Sequence, residues 1–207
     1  MLLLDIMKEA NMNTFDFGSG HVPAHQHPNG GGWIADTTYV GPNAFVSDTA
    51  MVYGNAQVYG DARVSGNVRI FGGAQVYGNV VVAGGVRVYG DAWVYDNAQL
   101  FDDARIFGNA QVHDDACVYG NAWVSDDARV SGDARVYDDA MIYGSAVVYR
   151  NARVFGESRI YGDAMVAGNA QVFGNALVYG AGLVYGEAQV SGKARVSNDE
   201  MMKMEEE

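Results

Sequence analysis

Every sixth residue from Ile34 to Val196 is Val, Ile or Leu, twenty-eight positions in all, and no insertion breaks the count. The stretch Val52-Tyr-Gly-Asn-Ala-Gln-Val58-Tyr-Gly-Asp-Ala-Arg-Val64 shows the rule. A small residue, mostly Ala, usually stands two places before the aliphatic, and Gly or Asp followed by Asn or Asp is the commonest pair two and three places after it. A fixed short period of this kind specifies a stack of coils, each burying its apolar side against the next, rather than a globular core. Ala-x-Val reads as a short strand with both outer members of the triplet pointing inward. The Gly-Asn or Gly-Asp that follows supplies the positive φ and the local side-chain hydrogen bond of a sharp corner. Three strands and three corners close an 18-residue triangle. The expected fold is therefore all-β, a single-stranded parallel β-helix (β-solenoid) of about nine coils, ~45 Å long at the spacing of hydrogen-bonded strands.

The period divides the chain into an N-terminal leader and cap (1–33), the repeat (34–196), and an acidic C-terminal cap or tail (197–207). Leu2, Leu3, Ile6 and Met7 could form one side of a short helix, and Pro28-Asn-Gly-Gly-Gly32 is loop chemistry. An uncapped solenoid exposes a strand edge and an open apolar end, so the leader is expected to cover the first coil. At the other end, Met201, Met202 and Met204 are expected to fold over the last coil.

A net charge of −12 argues against binding a nucleic-acid backbone. Cys117 is the only cysteine, so no disulfide can form within the chain. No apolar run approaches the roughly 20 residues of a membrane span. The apolar start is interrupted by Asp5 and has no basic flank, which predicts no signal peptide. The expected setting is cytoplasmic, or virion-associated if the chain is phage-encoded.

With its long runs of Tyr-Gly-Asn-Ala-x-Val, the repeat resembles the left-handed parallel β-helix of the hexapeptide-repeat, trimeric acyltransferase-like superfamily. The resemblance covers about four-fifths of the chain. Left-handed winding is implied by it alone, because the general rule for parallel crossovers gives the opposite hand. The Gly31-Gly-Trp-Ile34 lead-in followed by these runs is also similar to a bacterial and phage branch of hexapeptide-repeat proteins often labelled transferases. Enzymes of the superfamily add an extended loop and a catalytic histidine near a subunit interface. Here the repeat has no loop insertion, and its one histidine, His113, stands in a tyrosine row beside Asp114 and Asp115. A His-Asp pair is the one candidate for an oriented base.

Writing the chain in rows of 18 lays out the faces. Arg69, Arg87 and Arg105 followed by Trp123 form one row, and Tyr53, Phe71, Tyr89 and Phe107 the row beside it. A second face carries Gln57, Gln75, Trp93 and Gln111 beside Tyr59, Tyr77, Tyr95 and His113, and a third has Phe101, Tyr119, Tyr137, Phe155 and Phe173. Stacked rings stabilise neighbouring strands. So much aromatic surface also predicts a covered face, through a homo-oligomer (dimer or trimer) or a protein or carbohydrate partner. Two metal readings arise. His21, His25 and His27 in the leader could share an ion, resembling the His-x-His pair that each of three chains contributes in phage tail-fibre tips. The corner pairs Asp102-Asp103, Asp114-Asp115, Asp126-Asp127 and Asp138-Asp139 form an acidic belt, solvated or holding calcium. No cofactor other than such a metal is expected. The function read from all this is a non-catalytic rigid scaffold or binding protein, the alternatives being an acyltransferase-like enzyme and a phage fibre or spike component.

Overall fold

The structure is a computed structural model that describes residues 13–198 and the backbone of Met201–Met204. The expected helix of Leu2, Leu3, Ile6 and Met7 lies outside the described residues. Those described form an all-β parallel solenoid of about nine 18-residue coils with no helix, hence none long and apolar enough to cross a membrane.

Strand pairing follows the period. Within the repeat each strand lies parallel to the strand 18 residues on: Gln57 pairs with Gln75, Gln75 with Trp93, and Trp93 with Gln111. The strands sort into sheets of 12, 10 and 9 members, one for each side of the triangle. Most are only two residues long, because a corner returns after every sixth residue. Backbone hydrogen bonds run from coil to coil, for example Tyr53 N–H to Ile70 C=O at 3.0 Å and Asn55 N–H to Gly72 C=O at 2.8 Å. The ladder thus continues through the corners and does not stop at the strand ends.

The interior is one continuous core. From Val46 to Val196 each sixth-position aliphatic is at most 1 % exposed. The small row behind it is buried from Ala44 to Ala188, with Val68, Val80 and Val86 in place of Ala, and only Ala194 at the far end is partly open. Ser158 occupies the same row at no polar cost, since its hydroxyl donates to the Phe155 carbonyl at 2.9 Å. At the corners the backbone takes positive φ, and close stacking adds a second restriction. Gly90 has φ 70°, and a Cβ placed on it would lie 2.9 Å from the Gly108 nitrogen.

The leader is tied to the first coil. Strands β1 (Thr14–Asp16) and β2 (His21–Gln26) form a hairpin whose turn is closed by Asp16 Oδ1 accepting from Gly18 and Gly20 N–H at 2.8 and 2.9 Å. These bonds hold the Asp16 carboxyl below the usual carboxylate range. β2 pairs antiparallel with β3 (Trp33–Ala35), placing His25 opposite Ile34 and extending the first sheet past the repeat. The loop between them reaches the third sheet, where Val46 N–H donates to the Asn29 carbonyl at 3.0 Å. Gly32 is obligatory there, since a Cβ on it would lie 2.4 Å from the Val46 side chain.

The far end departs from expectation. Met201–Met204 does not leave the ladder after Val196: it pairs parallel and in register with Leu183–Gly186 as one more strand of the second sheet. Met202 stands at the next sixth position, and its unbranched side chain hides it from a pattern of Val, Ile and Leu.

Candidate functional site

With the interior closed, chemistry can reside only on the faces, the corners and the ends. On the first sheet, Arg69, Arg87 and Arg105 stand directly above one another, followed by Trp123. Beside them Tyr53, Phe71, Tyr89 and Phe107 stack with ring centroids 4.9 Å apart and planes within 5° of parallel. The strand spacing imposes that separation, so the backbone ladder itself builds the column. The leader adds to it: Phe17 stacks on Tyr53 at 5.0 Å and Phe15 on Trp33 at 4.4 Å. At Ser125 the column lacks its ring, and Trp123 from the arginine row leans into the gap. Its indole meets Phe107 edge-on at 6.1 Å, and the Arg105 guanidinium lies 5.0 Å from its centre. Above the gap the column resumes with Tyr143, Tyr161 and Tyr179.

The other two faces carry columns of the same kind. Tyr59, Tyr77 and Tyr95 stack on the second sheet, and Tyr119, Tyr137, Phe155 and Phe173 on the third. Stacking covers the ring faces and leaves the edges to water. Among the described residues only Val22, Tyr39, Phe45 and Trp93 count as exposed large hydrophobics. The apolar surface is therefore smaller than the row composition suggests. Partial burial pushes up the phenols of Tyr53, Tyr77, Tyr95, Tyr119, Tyr137 and Tyr143. For Tyr53 the charges of Arg69 and Arg87 oppose that shift. The first face thus combines rings, guanidinium groups and phenols in straight rows.

The corners use their acids differently from the local turn bond expected of them. Asp102, Asp114, Asp126 and Asp138 adopt φ near +58°, and each accepts from the backbone N–H of the glycine one coil later: Gly120, Gly132, Gly144 and Gly156, at 2.9–3.1 Å. The second acids Asp115, Asp127 and Asp139 accept from Asn97, Asn109 and Asn121 side chains at 3.0–3.1 Å. The four pairs lie at three different corners, interleaved with glycine and asparagine donors. Seven of the eight acids thus accept hydrogen bonds from a neighbouring coil.

The leader histidines are not gathered into one cluster. His25 Nδ1 lies 2.8 Å from Asp36 Oδ1. His27 is buried, with Nδ1 3.3 Å from the Asn29 carbonyl, and His21 stands in the hairpin opposite Asp16. The strand ends at Gln26, so the alternation that would put His25 and His27 on one side stops short of the second ring. His113 sits in the second column with its ring 4.7 Å from Tyr95 and nearly parallel to it. Far from standing on an open row, its side chain is only 22 % exposed, and its Nδ1 lies 3.3 Å from Asp114 Oδ1. Among the described residues one group of three metal-ligating side chains converges, namely Asp96, His113 and Asp114. The sequence reading passed over Asp96. Its signal is that, in rows of 18, aspartate follows aspartate at the positive-φ corner only there.

Comparison with known proteins agrees with the architecture. Residues 56–72, 74–90, 98–114, 134–150, 158–172 and 170–186 match the family model described as YdcK Beta solenoid repeat, together just under half of the chain. The likeness is to a repeat unit and supports a repeat β-helix. No curated protein matches the chain.

Proposed function

We propose that the rod is a non-catalytic scaffold, its coil left-handed as the hexapeptide resemblance implies. Its first-sheet face is the surface it offers to partners, with a second copy of the chain as the first of them. The observation that carries this reading is the pairing of Arg69, Arg87 and Arg105 with the ring column of Tyr53, Phe71, Tyr89 and Phe107 on one flat side. Arginine and aromatic residues dominate the energetics of protein interfaces, and guanidinium groups bind ring faces and carboxylates alike. The chain as a whole carries −12, so a basic row on one side faces acidic corners on any neighbouring copy. Interlocking rows at a common spacing need no loop to align them.

The test is light scattering across protein concentrations. A dimer or trimer is expected in the native chain, shifted to monomer by Arg87→Glu combined with Arg105→Glu. Monomeric behaviour throughout, with no captured protein or glycan, would sink the proposal. A catalytic reading rests on one specific contact, the 3.3 Å approach of His113 Nδ1 to Asp114. It requires acyl-coenzyme A to bind and His113→Ala to abolish that binding, and calorimetry without heat of binding removes it.

A further inference from the structure

We propose that Asp96, His113 and Asp114 form a site for one divalent transition-metal ion, with Zn2+ as the preferred probe. One ligand atom from each residue lies within 4.8 Å of the other two. Three separate departures from the repeat meet at this point. First, the second-sheet column runs Tyr59, Tyr77, Tyr95 and then His113, which keeps an aromatic ring in the stack while adding nitrogen donors. Second, among the described residues the non-glycine ones at positive φ are Asp96, Asp102, Asp114, Asp126, Asp138 and Arg150, and of these only Asp96 and Asp114 stand 18 apart, one coil above the other. Third, Asp102, Asp114, Asp126 and Asp138 each accept from the corner N–H of the next coil, whereas the Asp96 carboxylate makes no such bond. Asp96 is left facing His113 and a second carboxylate.

Two carboxylates one strand spacing apart repel, and a cation between them reverses the sign of that interaction. The donor set selects the kind of cation. Calcium and magnesium take oxygen ligands, while an imidazole nitrogen with two carboxylate oxygens suits zinc and its first-row neighbours. Two donors bound to Zn2+ at ~2.0 Å and a tetrahedral angle lie about 3.3 Å apart. That is the separation of His113 Nδ1 and Asp114 Oδ1, 3.3 Å, which is long for a hydrogen bond. The site is also preorganised. Stacking on Tyr95 holds the imidazole plane, and the Gly132 N–H, 2.9 Å from Asp114 Oδ2, holds the carboxylate. Three protein ligands leave a fourth position to water.

The test uses the full chain stripped of metal and titrated calorimetrically with ZnCl2. It compares the native sequence with His113→Tyr, Asp96→Gly and His25→Ala. The first two substitutions restore residues that the same rows carry one coil earlier, Tyr95 and Gly78, so both chains fold, and thermal melts verify it. One Zn2+ equivalent is expected, weakened at least about ten-fold by His113→Tyr and by Asp96→Gly. It is expected to be unchanged in His25→Ala and undisplaced by millimolar CaCl2. No Zn2+ binding by the native chain overturns the proposal. So does native affinity in His113→Tyr or Asp96→Gly, loss in His25→Ala, or displacement by calcium.

Discussion

The interior rows and the outer ring columns stand on one backbone ladder with one spacing, yet they carry different information. Inside, Val, Ile, Leu and Ala recur with almost no variation, and between Ala44 and Val190 every member is closed off from water. Outside, the same ladder holds Arg, Gln, Trp, Tyr and His in rows that change from coil to coil. An interior side chain must fill a fixed triangular volume at close-packed density, so few residue types fit. An outer side chain meets its neighbours above and below but is open on one side, so stacking stabilises it without dictating its identity. Uniformity therefore marks where the fold is specified, and departures from uniformity mark where function can sit.

The largest effect should come from hollowing the interior. Ile142→Ala is expected to cost about 2–5 kcal/mol in denaturant unfolding and Ile142→Val about 0.5–1.5 kcal/mol. If Ile142→Ala were near neutral, the claim that the core tolerates few residue types would fail. On the outer side, Tyr137 stacks between Tyr119 and Phe155 at 4.8 and 4.9 Å. Tyr137→Ala should cost ~1–3 kcal/mol for two ring pairs, and Tyr137→Phe much less. Equal losses for the two variants would show that the hydroxyl, not the stack, matters. Corners rank next. Gly90→Ala puts a Cβ 2.9 Å from the Gly108 nitrogen and should cost ~1–2 kcal/mol. Gly90→Asp should cost less, because its carboxylate can accept from Gly108 N–H as Asp102 does from Gly120. A greater loss with Asp than with Ala would refute the capping role.

The smallest effect is a pH dependence. Burial raises the phenols of Tyr53, Tyr77, Tyr95, Tyr119, Tyr137 and Tyr143 above their value in the unfolded chain. Between the two values the folded state binds more protons, so this contribution is fully present below about pH 10 and is lost as pH rises through the folded-state values. Phenolate absorbance should appear at higher pH in the folded chain than after denaturation. Coincident titrations would remove the claim that stacking desolvates the rings.

Much of this was legible in the sequence, because three times six residues make one coil and the ladder permits no slip between coils. Residues 18 apart therefore had to stack, and Arg69 over Arg87 or Tyr53 over Phe71 could be written down directly. Side-chain direction could not. Nothing in the rows announces that Trp123 leans across to replace the ring missing at Ser125. Nor do they show that the corner aspartates reach a later coil instead of their own turn. The leader escaped because it obeys no period: Phe15 and Phe17 join the first face only through an antiparallel hairpin. The His21, His25 and His27 grouping looked compact in sequence but was dispersed once His25 met Asp36 and His27 turned toward Asn29.

His113 shows the division most clearly. By itself the sequence determined that a parallel solenoid of 18-residue coils would form and that His113 would follow Tyr95 in its row, since backbone hydrogen bonding and interior volume leave no other register. Tertiary structure alone decided that Asp96, His113 and Asp114 converge. Both aspartates take positive φ at corners stacked one above the other, and ring stacking holds the imidazole beside them.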